Sequence, residues 1–108
     1  MSKEGDIKVR RMLQEFEHKV VEINKRNIRE IVGEISEQDF LSLVEAISVY
    51  RARYLKEVLK MVEGKNDELS IDLSEQVLKS RKVYQEAMRG FEALRQALER
   101  GYFVLNAD

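Results

Sequence analysis

The sequence predicts an all-α fold, an antiparallel bundle of three long helices, and three observations carry that prediction. The 108 residues contain no Pro and only five Gly, so nothing opposes long helices. Apolar residues recur at spacings of three and four over long stretches. Capping signals fall between those stretches.

Asp6 is the candidate N-cap of the first helix, since its side chain can accept from the free amides of an opening turn. Val9, Leu13, Phe16, Val20 and Ile23 then form one stripe. Ile28, Ile31, Val32 and Ile35 lie about a quarter turn away from it, at roughly 100° per residue. The polar stretch 24–27 sits at this shift, and Asn27 with Glu30 has capping-box spacing. The first helix is therefore expected to be kinked or broken near residues 24–27.

Ser36 with Asp39 marks the next helix start. From Glu37 to Glu63 the apolar set includes Phe40, Leu41, Val44, Ile47, Tyr54, Leu55, Val58, Leu59 and Val62, about half the helix circumference. A helix that apolar is expected in the middle, touching two neighbours. Gly64 is its candidate C-terminal residue, followed by a polar loop over 64–70. Asp72 with Glu75 opens the third helix, whose inner face carries Leu73, Val77, Tyr84, Met88, Phe91, Leu94 and Leu98. Gly101 ends it. Beside that face runs a row of small residues, Ala87, Gly90, Ala93 and Ala97, which would admit a close-packed helix. Residues 1–108 fit one helical-bundle domain.

Composition excludes several functions. There is no Cys, hence no disulfide scaffold, thiol nucleophile or Cys-ligated zinc. A single His rules out a multi-His metal site within one chain. Twenty acidic and 19 basic residues leave a formal charge of −1, which argues against unspecific attraction to nucleic acid or anionic membrane. The charged first residues contain no apolar signal-like run, and no apolar run approaches a membrane span; a cytoplasmic protein is expected.

Folding the second and third helices as a hairpin pivoting between Asp67 and Glu68 pairs Val58 with Val77, Tyr54 with Arg81, Arg51 with Tyr84, Ile47 with Met88, and Val44 with Phe91. Two middle layers thus join an Arg to a Tyr. An Arg near a core requires an anionic partner. Glu15, Glu22, Glu57 or Glu86 could supply it, and so could a bound phosphate or carboxylate. Arg51, Tyr54, Arg81 and Tyr84 are accordingly the candidate anion-binding residues. The alternative places both Arg at the stripe edge, with stems on apolar surface and heads in water.

Other patterns are weaker. Glu15 and His18 have the spacing used in di-iron bundles but lie opposite the Leu13–Phe16–Val20 stripe, so no metal is expected. Arg51, Arg53, Lys56, Lys60, Lys79, Arg81, Lys82 and Arg89 make the hairpin basic, but Glu57, Glu75 and Glu86 are interspersed in ion-pair spacing. No phosphate loop or nucleophile elbow occurs, and neither a catalytic residue nor a cofactor is expected.

Tyr102, Phe103, Val104 and Leu105 follow the last helix as an apolar run at a chain end, where polar residues are usual. The run is expected to dock on its own chain or on a partner. Surplus apolar surface on the second helix, with Val49 and Leu78 off the main stripes, points to a homodimer whose interface includes Gly90 and residues 102–105. The functional expectation is a non-enzymatic helical interaction protein: an adaptor, assembly factor or regulator with a protein partner. The alternative is an anion or nucleic-acid binder using the Arg/Tyr layers and the basic hairpin.

Overall fold

The structure, a computed structural model, describes residues 3–63 and 71–107. It is all-α, with three long helices, the second of which packs against the third. Helix α1 spans Lys3–Ile31, α2 Glu37–Glu63 and α3 Ile71–Glu99. Two short strands, β1 (Ile35–Ser36) and β2 (Leu105–Asn106), complete it. The expected cap of α2, Gly64, the loop over 64–70 and the side chain of Leu73 lie outside the described residues.

α1 begins ahead of Asp6, which falls with Glu4 in the first turn. There both carboxylates complement the positive end of the helix dipole. The helix does not break at 24–27. The Asn24 side chain donates to the Val20 carbonyl at 2.9 Å, bonding back to its own helix instead of capping a new one. The real stop is Gly33. The amides of Val32 and Gly33 both donate to the Ile28 carbonyl, at 2.8 and 3.0 Å, and Gly33 has φ +87°. Gly tolerates that left-handed conformation without a Cβ penalty.

Ser36 directly precedes α2, where the spacing placed its cap, and Glu37 and Asp39 occupy the first turn. α3 begins at Ile71, one residue ahead of Asp72. It ends in a full Schellman motif: the Tyr102 amide donates to the Ala97 carbonyl at 2.9 Å and the Gly101 amide to Leu98 at 3.0 Å, with Gly101 at φ +77°.

The chain divides into two compact units. One, Glu37–Arg95, is the α2–α3 hairpin. Its helices run antiparallel, since Tyr54 stacks on Tyr84 while Phe40 meets Phe91 edge-on at 5.9 Å. Ile47 is its buried centre, only 4% exposed. Val58, Val77 and Phe91 are half-buried. Val44 and Met88, expected in the same interface, are exposed at 46% and 38%. Phe91 also meets the ring of Phe40, one turn nearer the start of α2 than Val44.

The other unit joins α1, β1, the end of α3 and the tail. β1 and β2 pair in parallel, Ile35 with Leu105 and Ser36 with Asn106. Ile35 is 5% exposed, and Tyr102, Phe103 and Leu105 are half-buried. The apolar tail is thus docked on its own chain.

Candidate interaction surface

α1 carries the feature that the sequence does not declare. Not one of its residues is buried. Leu13 and Phe16 are 57% and 65% exposed; Val9, Met12 and Ile23 are exposed as well, and Val20 is half-buried. The stripe read as inward-facing is an open apolar face about 21 Å long from Val9 to Ile23. Its steps of four, three, four and three place Val9, Phe16 and Ile23 at d positions and Leu13 and Val20 at a positions of a heptad. The next a position is Asn27, which ends the apolar seam. Leu41, Leu55, Leu59 and Val62 add exposed apolar surface on α2. Contiguous apolar surface of this kind marks contact sites.

The Arg/Tyr residues are brought together in part. The Arg51 Nε donates to the Tyr84 hydroxyl at 3.1 Å, and its guanidinium carbon lies 5.5 Å from the Tyr84 ring centre. A guanidinium nitrogen also reaches the Met88 sulfur at 3.9 Å. Tyr54 stacks on Tyr84 with ring centres 6.1 Å apart. Arg81 is not part of this group; it is exposed and makes no hydrogen bond or ion pair among the described residues. Arg51 is exposed too, so the need for a buried anionic partner disappears, and its partner is a phenol instead of a carboxylate.

Three of the hairpin's basic residues are tied locally. Lys60 pairs with Glu57 at 3.1 Å, Arg89 with Glu86 at 3.2 Å, and Arg53 lies 6.0 Å from the Tyr50 ring centre. Arg95 donates to Glu92, and this hydrogen bond holds the Glu92 carboxyl below the usual carboxylate range. The second carboxylate oxygen of Glu57 is buried without a hydrogen-bond partner among the described residues.

A pocket of about 270 Å³ lies within the α1–tail unit, lined by Lys25, Arg29, Ile35, Tyr102, Phe103 and Glu34, among others. Its two cations are offset by Glu34 in the lining and by the Glu22 carboxylate 3.9 Å from Lys25. Glu15 and His18 are exposed. Among the described residues no group of three or more His, Asp or Glu could hold a metal, and no helix is long and apolar enough to cross a membrane.

Of the expected interface residues, Val104 is exposed, and Gly90 is exposed with open space where a Cβ would stand. Among the described residues, nothing lies within 4 Å of that position. The surface that the expectation missed is the α1 face. The available signal was its strict heptad spacing closed by a polar Asn27.

No family model matches the chain, and neither a curated protein nor a solved structure is significantly similar to it.

Proposed function

We propose that this chain is a non-enzymatic helical interaction protein, an adaptor, assembly factor or regulator, that works through exposed helix-packing faces and associates as a homodimer. The observation that carries this is α1, whose apolar seam from Val9 to Ile23 includes no buried residue. A helix of 29 residues gains little stability from propensity alone and needs its apolar face covered. The tail offers no cover for a partner to displace cheaply, because its backbone is paired with β1.

The test is the mass in solution by light scattering coupled to size exclusion. Two chains at micromolar concentration support the proposal; one chain at every concentration contradicts it. An anion-binding role draws less support from geometry, since Arg51 is engaged with Tyr84 and Arg81 makes no hydrogen bond or ion pair among the described residues.

A further inference from the structure

We propose that the α1 face takes the α1 of a second copy, antiparallel, in one register. This rests on the reading of the chain as a self-associating helical protein and specifies the surface. In an antiparallel two-helix seam, a positions meet d positions of the partner. One such register sets Val9 against the partner's Val20 and Leu13 against the partner's Phe16, each contact repeated by symmetry, and leaves Ile23 opposite the partner's Asp6. Met12 flanks the seam and lies beside the stem of the partner's Lys19.

Charge selects both direction and register. Residues 6–14 hold three cations and one carboxylate, whereas residues 15–23 hold three carboxylates and one Lys. Antiparallel pairing lays each basic half on an acidic half; parallel pairing lays like on like. At the seam edge, Arg10 and Glu17 are both e positions, seven residues apart on one line of the helix. The proposed register puts Arg10 beside the partner's Glu17 twice. Sliding by one heptad would bring Glu17 against the partner's Glu17 and Lys19 against the partner's Lys19, which is repulsive. Arg10 and Glu17 are exposed, and neither makes an ion pair among the described residues, so both are free for this role. The seam is short, about 17 Å from Val9 to Val20.

The experiment is a charge swap read by the dissociation constant of the dimer. Arg10→Glu and Glu17→Arg are each expected to weaken it by about tenfold or more, since each creates two like-charge contacts. The double variant Arg10→Glu/Glu17→Arg restores both contacts and should return the affinity to that of the unmodified chain. An equal mixture of the two single variants should form the mixed dimer in preference to either homodimer. Circular dichroism checks that every variant keeps its helix content. A dimer indifferent to both single reversals, or a double variant as weak as the singles, overturns this register while leaving self-association standing. A single-chain mass for the unmodified protein at about 100 μM overturns both proposals.

Discussion

Ile35 pairs with Leu105 across a parallel two-residue ladder that ties the α1–α2 connection to the chain end. The pair joins residues far apart in sequence and covers Ile35, one of the two buried hydrophobic residues among those described. The tail is therefore committed to its own chain, and the larger uncovered apolar surface of its unit is the α1 seam. Replacing Ile35 by Ala should cost about 2–5 kcal/mol, as for other buried aliphatic side chains. Leu105→Asp should release the tail, read as faster hydrogen exchange at the amides of residues 105–106. Unchanged exchange in Leu105→Asp would contradict the ladder.

The hairpin register separates two neighbouring aliphatic residues. Ile47 is 4% exposed and Val44 46%. Ile47→Ala should cost about 2–4 kcal/mol, while Val44→Ala should cost less than about 1 kcal/mol. Urea unfolding followed by circular dichroism measures both. Equal losses would contradict the difference in burial between the two positions.

Two glycines should respond with opposite sign. Gly101 is left-handed, so Gly101→Ala should cost about 1–2 kcal/mol. Gly90 is inside α3 with open space around its missing Cβ, so Gly90→Ala should stabilise by about 1 kcal/mol. Thermal melts decide this. A loss at Gly90 would mean that another copy packs closely on the small-residue row.

Arg51 donates to a phenol at an exposed position, so Arg51→Met should lower stability by no more than about 1 kcal/mol. Added phosphate should leave the melting temperature of both proteins unchanged. A rise confined to the unmodified protein would reinstate Arg51 as an anion ligand.

Glu92 titrates below the usual carboxylate range because Arg95 donates to its charged form. A carboxylate lowered in the folded state contributes stability at neutral pH, and that contribution is lost as pH falls through the lowered value. Carboxyl NMR should show the low midpoint, and Arg95→Gln should return it to the ordinary range.

Much of the architecture is legible in the residues, for identifiable reasons. Gly101 after a periodic run announces a helix stop, and equidistance about a polar loop brings Arg51 to Tyr84. The β1–β2 ladder is not legible, because two residues carry no period. Residues 24–27 mislead because an Asn can bond within its own helix as well as cap a new one. The α1 stripe is legible as apolar but not as open: spacing shows that Phe16 wants a neighbour, and only its 65% exposure shows that it is open among the described residues.

Sedimentation equilibrium of the unmodified chain beside Phe16→Glu tests self-association through α1 most directly. Phe16 is 65% exposed, so the substitution should leave the helix content intact. The expected result is a two-chain mass for the unmodified protein at about 100 μM and a one-chain mass for Phe16→Glu at the same concentration. A dimer that persists in Phe16→Glu, or a single chain in both, would contradict it.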